Sequence, residues 1–363
     1  MTFKKSIYAH RASMAPPPPT VLKKATIYQI AEKAGLHPMT VSRALRPGTS
    51  VSKETRQTVQ RIAQELGYKR DPIGAALRSG QTLEVGVSYE TLTRADFASV
   101  LSELNLKLTP HGYYVRILEP HPVKLTVQSL AGFNAAQVRG MMFANNVEPE
   151  VIDWLAERKI PAIWLMERPD VSDRPFHFYG SEDRPAAGEL LAHLHQLGHR
   201  QIAFFDAETP TFGSLQRKEV YLAFTAKHGL PVLLETSTFE PQGGAESIER
   251  LLRRLPQVTA VFCSNDNTAI GAMFRLQQLG YRVPQDISVV GFGSPSSRHY
   301  EYFYPGLSTA RHEYNRIGLL AADALVALML GEDVEPQDRL VPSEVILRGT
   351  TAPPSPTPRR ALV

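Results

Sequence analysis

T-I-Y-Q-I-A-E-K-A-G at residues 26–35 and P-M-T-V-S-R-A-L at residues 38–45, joined only by Leu36 and His37, decide how this chain is read. Thr26 is an N-cap and Gln29 stands three residues on, the spacing at which two orphan amide donors are satisfied reciprocally. A helix therefore starts near Ile27, with Ile30, Ala31 and Ala34 on one face. Gly35 supplies the left-handed residue that stops it. His37 then caps a second helix whose first position is Pro38, where the missing amide proton has no partner to lose. Val41 and Leu45 point inward, and Met39, Thr40, Ser42, Arg43 and Arg46 divide between exposed and packed faces. Two short helices so joined cross sharply, as in a helix-turn-helix.

A loop at 48–52 leads to a third helix at 53–66, capped by Ser52, with Val59, Ile62, Ala63 and Leu66 as its buried stripe and Gly67 as its end. Pro72 opens one more short helix, I-G-A-A-L-R-S, closed by Gly80. At about two turns it is too short to be stable alone in water, so it needs a partner.

The net charge of +4 hides an asymmetry. Residues 1–80 hold 14 Lys and Arg against 4 Asp and Glu, leaving 26 basic and 32 acidic residues for the rest of the 363. A basic front of +10 ahead of a body of −6 is the electrostatic footprint of a nucleic-acid reader tethered to a domain with another task. The length allows two or three domains. The N-terminus lacks an apolar signal core and no apolar run approaches the roughly 18 residues of a membrane span, so a cytosolic protein without a membrane partner is expected. The single cysteine, Cys263, lies in the apolar run A-V-F-C-S and reads as a small buried hydrophobe rather than a reactive thiol.

Residues 1–24 and 350–363, rich in proline and basic residues, lack a periodic apolar face and read as disordered tails. From Leu83 the pattern becomes short apolar strands alternating with amphipathic helices, the signature of parallel α/β structure. Strands are expected at 85–88, 114–118, 140–143, 162–165, 201–205, 233–238, 260–263 and 287–291. Helices are expected at 95–111, 150–159, 185–197, 215–228, 245–255, 268–279 and 314–330. Eight strands exceed one ordinary sheet, and the turn-rich segment 167–179 divides them into two groups of four, giving two lobes. The expected fold is thus an all-α helix-turn-helix headpiece at 25–70, a hinge at 71–82, and a two-lobed α/β core with parallel sheets at 83–349.

The runs A-G-L-H-P-M-T-V-S-R-A-L, V-S-K-E-T-R, E-L-G-Y, L-G-H-R-Q-I-A-F, N-D-N-T-A-I-G-A and R-V-P-Q-D-I-S-V-V-G-F, in this order between Thr26 and Gly349, resemble the signatures of the LacI/GalR transcription regulators. T-L-T-R at 91–94, P-M-T-V-S-R at 38–43 and V-F-C-S-N-D at 261–266 are similar to its gluconate-repressor branch. The resemblance implies a homodimeric repressor of double-stranded operator DNA, with a core like periplasmic sugar-binding proteins and chain crossings between lobes near 179, 308–312 and 331–336. It places Pro38, Met39 and Arg43 against base edges and Thr40 and Ser42 nearer phosphates, with Leu77 wedged into the minor groove. A guanidinium can bond guanine O6 and N7 together, so Arg43 is the foremost reader, with a phosphate contact as its alternative.

By the same resemblance a small effector lies between the lobes. Arg217 is the foremost pocket residue, followed by Asn265 and Phe239, then Tyr179, Glu90 and Arg94. Where many relatives read G-F-D-D, this chain reads G-F-G-S at 291–294. Loss of a carboxylate beside a retained Arg217 favours an anionic effector, a sugar acid such as gluconate or a ketogluconate, over a neutral sugar or purine. The sequence calls for no cofactor, metal or enzymatic activity. G-F-G-S does not complete a dinucleotide fingerprint, His193, His195 and His199 do not share a helix face, and no G-x-S-x-G is present. A solute receptor would share the core but would have no use for residues 26–80.

Overall fold

The computed structural model describes residues 25–45, 51–68, 83–89, 95–118, 125–132, 137–169, 175–293 and 305–356. The chain divides into two compact units, Met1–Gly74 and Ala75–Val363. Leu77, Glu90, Arg94, the hinge helix and the two terminal segments 1–24 and 357–363 lie outside the described residues.

The first unit contains α1 (Ile27–Ala34), α2 (Pro38–Ala44) and α3 (Lys53–Glu65). Thr26 and Gln29 form the expected capping box, and Gly35 ends α1 in the left-handed region at φ 65°. Ile30, Ala31, Val41, Ala44, Val59, Ile62 and Ala63 make the core, with Leu45 only partly buried at its margin. Arg56 Nη1 donates to the Ala44 carbonyl at 3.1 Å, fixing the end of α2 against α3.

The second unit holds two parallel sheets. The first lobe's sheet runs in the order β11-β5-β4-β3-β1-β2, from β1 (Glu84–Tyr89), β2 (Tyr114–Leu118), β3 (Gly140–Ala144), β4 (Ala162–Leu165), β5 (His177–Glu182) and β11 (Asp338–Pro342). One face is covered by α4 (Ala95–Leu108) and α11 (Tyr314–Leu330), through Val100, Leu104, Ile317 and Leu325. The other carries α5 (Val127–Gly132) and α6 (Pro149–Glu157), through Leu130, Val151 and Leu155. The second lobe's sheet, in the order β7-β6-β8-β9, comprises β6 (Ile202–Ala207), β7 (Leu233–Ser237), β8 (Ala260–Cys263) and β9 (Ser288–Val290). Around it lie α7 (Arg184–Gln196), α8 (Phe212–His228), α9 (Pro241–Arg254) and α10 (Asp266–Gln278). A small antiparallel pair, β10 (Thr309–Arg311) with β12 (Glu344–Ile346), completes the unit.

The lobes are therefore not two groups of four strands. The segment expected to be a turn-rich divider ends in β5, a central strand paired with both β4 and β11. The crossings shift accordingly. The first falls after Glu182, the second at β10 as expected, and the third at Ser343, because residues 331–336 lead into β11 of the first lobe. The C-terminal segment beyond residue 349 also departs from a loose tail. Thr350 is fully buried, and the Ala352 carbonyl is bonded by His199 Nε2 at 2.9 Å. Cys263 lies in the second lobe's core, where burial and then the charge of Asp266 push its thiol well above the ordinary value. Among the described residues no helix is long and apolar enough to cross a membrane.

Candidate functional site: the second headpiece helix and the interlobe cleft

Packing decides which face of α2 is free. Val41 and Ala44 are buried against α1 and α3, which turns Met39 and Arg43 outward and leaves Pro38, Thr40 and Ser42 half-buried beside them. His37 Nδ1 accepts from the Met39 amide at 3.2 Å, so the helix start is held by its own cap. Lys53 is exposed at the start of α3. A helix with an arginine and an apolar side chain on its outer face has the chemistry for base edges and phosphates.

In the core, the three crossings converge on one carboxylate. Asp183 follows β5 and its side chain is 0% exposed. Its Oδ1 accepts from His312 Nε2 at 3.0 Å, in the second crossing, and from Ser343 Oγ at 2.8 Å, in the third. Its Oδ2 is ion-paired with Arg217 Nη1 from α8, and its amide donates to Gln216 Oε1 at 3.1 Å. Burial alone would raise the Asp183 carboxyl, but the charges of His312 and Arg217 outweigh it and hold the group below the ordinary carboxylate range. The guanidinium also lies over the Phe292 ring, 4.7 Å from its centroid. The lobes touch again where Glu167, after β4, accepts from the Phe212 amide at 3.2 Å, and where the Phe212 and Phe178 rings meet edge to face.

Ligands of parallel α/β sheets bind beyond the carboxyl ends of the strands. There this chain keeps buried polar atoms without a partner among the described residues. They are Ser88 Oγ at the end of β1, both amide atoms of Asn145 after β3, Ser264 Oγ after β8, and Arg217 Nε. Such groups are costly in a packed interior unless something bonds them.

The residues expected in the effector site fare differently. Arg217 is buried on α8, and the expectation that its charge is left for an anionic ligand is corrected, since Asp183 meets it. Asn265 caps α10, accepting from the Thr268 amide at 2.7 Å and donating to the Phe239 carbonyl at 2.9 Å, so its amide is largely engaged in structure. Phe239 is half-buried beside it. Tyr179 is a core residue of the first lobe, 2% exposed, its phenol pushed up by burial although Gln337 bonds it. Sequence reasoning passed over Asp183, His312, Ser343, Ser88 and Asn145. Only Asn145 left a signal, the polar pair Asn145 and Asn146 directly after the buried strand G-M-M-F-A. The histidines considered for a metal bond elsewhere, His193 to Thr351 and His199 to Thr259 and Ser288.

Comparison with known proteins agrees with this architecture. Residues 26–71 match the family described as bacterial regulatory proteins, lacI family, and residues 191–351 match the periplasmic binding protein-like domain. The chain is 31% identical over 335 residues to the HTH-type transcriptional regulator GntR of Pseudomonas aeruginosa, covering 90% of this chain and 96% of that protein. It is 28% identical over 333 residues to a Bacillus subtilis protein named "Probable HTH-type transcriptional repressor ExuR", covering 89% and 97%. A solved structure of the lac repressor dimer bound to operator and the anti-inducer ONPF aligns with a TM-score of 0.68 at 25% identity, over 91% of this chain and 100% of that one. With a helix-turn-helix headpiece, a two-lobed α/β core, and relatives that span nearly its whole length, this chain belongs to the lacI family of bacterial regulatory proteins and is a sequence-specific DNA-binding transcriptional repressor, not an enzyme.

Proposed function

We propose that the repressor responds to a small polyhydroxylated acid, a sugar acid such as gluconate or a ketogluconate, held between the lobes of the core. The observation that carries this reading is the set of buried hydrogen-bonding atoms without a partner among the described residues, from Ser88, Asn145 and Ser264 at the strand ends of both lobes and from Arg217 on α8. Hydroxyls would bond the amide and the two serines, and a carboxylate would take Arg217 Nε. The resemblance to the gluconate-repressor branch, with which the relatives named GntR and ExuR are consistent, supports the same class. One observation favours a second reading, a neutral sugar: the Arg217 charge is already met by Asp183.

The operator is read by a homodimer, each headpiece placing Arg43, Met39 and Pro38 against base edges and Thr40 and Ser42 against the backbone. The test is calorimetry of the full chain with D-gluconate, 2-keto-D-gluconate, D-glucose and hypoxanthine. Sugar-acid binding that Asn145→Ala weakens at least tenfold, with operator binding retained, is expected. Tight binding of glucose or hypoxanthine and none of either acid would overturn the sugar-acid reading.

A further inference from the structure

We propose that His37 Nε2 donates a hydrogen bond to the phosphate backbone of the bound operator, a contact that the backbone at the start of α2 is unable to make for itself. This rests on the reading above that α2 lies on the DNA, and it assigns a contact to a residue outside the set named there.

The start of a helix is ordinarily where a phosphate finds backbone donors, because the first amides have no partner within the helix. In α2 those amides are used. Pro38 has no amide proton. The Thr40 and Val41 amides both donate to the His37 carbonyl, at 2.9 and 3.2 Å. The Met39 amide donates to His37 Nδ1 at 3.2 Å. A phosphate arriving there meets none of these donors.

The bond from Met39 fixes the tautomer. A ring nitrogen that accepts carries no proton, so the proton of the ring sits on Nε2. Nε2 lies across the ring from Nδ1, which aims its N–H away from the Met39 amide and off the end of the helix. The residue is half-buried, and among the described residues no group accepts from Nε2. An amide at the positive end of a helix polarises the ring it bonds, which strengthens the donor on the far side.

The ring is also tied to the outer face of α2. Met39, whose amide holds it, is 60% exposed there, and Arg43 lies one turn further along. A phosphate contact carries no sequence information, but it fixes the register and angle of the helix that does the reading. His37 is thus a positioning residue for Arg43, and as a neutral donor it displaces no counter-ion.

The test separates the two ring nitrogens. His37→Asn keeps an acceptor where Nδ1 stands, as a favoured cap, and has no atom at the Nε2 position. His37→Gln has an amide donor near the Nε2 position and no acceptor at Nδ1. Both are measured as full-length protein by fluorescence anisotropy, well below the headpiece transition followed by circular dichroism. The probes are a duplex selected from a random pool by the wild type and its scrambled counterpart. His37→Asn is expected to leave the transition unchanged and to weaken binding to both duplexes about tenfold, as befits a hydrogen bond to a charged group. Its slope of log K against log salt should match the wild type, because a neutral donor releases no counter-ion. His37→Gln is expected to lower the transition, through loss of the cap, while recovering most of the affinity.

Wild-type affinity in His37→Asn overturns the proposal and leaves His37 a cap alone. So does an equal loss in a folded His37→Gln. A loss confined to the selected duplex makes the contact one to a base edge, and a salt slope reduced by about one per headpiece makes it ionic; either overturns it as well. Arg43→Ala checks the reading beneath. If it and His37→Asn both bind as the wild type does, α2 is not the helix on the DNA, whereas a loss in Arg43→Ala alone removes only the His37 contact.

Discussion

Asp183→Asn is the substitution with the most to reveal, because it changes one oxygen into an amide at the point where three chain crossings meet. In the wild type, the Asp183 carboxylate, 0% exposed, serves Arg217, His312 and Ser343 at once. Asparagine keeps one acceptor but turns an N–H₂ towards either the guanidinium or the imidazole. Arg217, 4% exposed, is then left as a buried cation without a counter-ion. Removing one partner of such a pair costs about 3–5 kcal/mol. For a unit of this size each kcal/mol corresponds to roughly 2–4 °C, so the core transition is expected to fall by about 6–20 °C in differential scanning calorimetry. The pH dependence has a definite sign. The folded Asp183 carboxyl lies below its unfolded value. Its contribution is thus complete above the unfolded pKa of about 3.9. It erodes below that, by about 1.4 kcal/mol per pH unit, until the folded value is passed. The gap between wild type and variant should therefore be constant from pH 7 to about 5 and narrow by roughly 1 kcal/mol at pH 3. Arg217→Met added to Asp183→Asn should recover part of the loss. A core transition within about 2 °C of wild type, or losses that simply add in the double variant, would refute the shared-carboxylate account.

Three further outcomes are expected. Gly271→Ala puts a β-carbon 1.7 Å from the Pro241 carbonyl oxygen, a backbone atom that cannot rotate away. It should destabilise the second lobe by about 3 kcal/mol or more in urea titration, whereas Gly188→Ala, with only Val220 near at 3.9 Å, should be neutral or stabilising. Arg43→Ala should relax base preference and Lys53→Ala weaken all sequences alike, as measured by fluorescence anisotropy on operator and scrambled duplexes at two salt concentrations; an equal loss on both duplexes for Arg43→Ala counts against base readout. Thr26→Ala removes half of the capping box and should lower headpiece stability by about 0.5–2 kcal/mol, seen in its thermal transition by circular dichroism.

The headpiece was legible almost to the residue, because its caps are local. Thr26, His37 and Ser52 accept from amides two or three positions on, and Gly35 donates to carbonyls three and four positions back, all within reach of any reading of spacing. The four missed strands show the opposite situation. β5 reads H-F-Y-G-S-E and β11 reads D-R-L-V-P, segments with little apolar run. They become strands because neighbouring edges, 160 residues apart in sequence, offer them hydrogen bonds. The cleft was half legible. Arg217 was singled out from a local match, but its ion-pair partner Asp183 lies 34 residues earlier and His312 still further off, joined only by the crossings. No pattern in sequence marks a charge as already spoken for.

The order in which the lobes close has a bearing on the birth of the protein. α11 and β11, which finish the first lobe, end at Leu330 and Pro342, and Ala352, which His199 holds in the second lobe, comes ten residues later still. A chain emerging from the ribosome at about 5–20 residues per second can fold its headpiece early. The first lobe cannot be completed until the chain has been made past Pro342, nor the second until it has been made past Ala352. A nascent chain can therefore carry a finished DNA reader while its sensor is still unfinished.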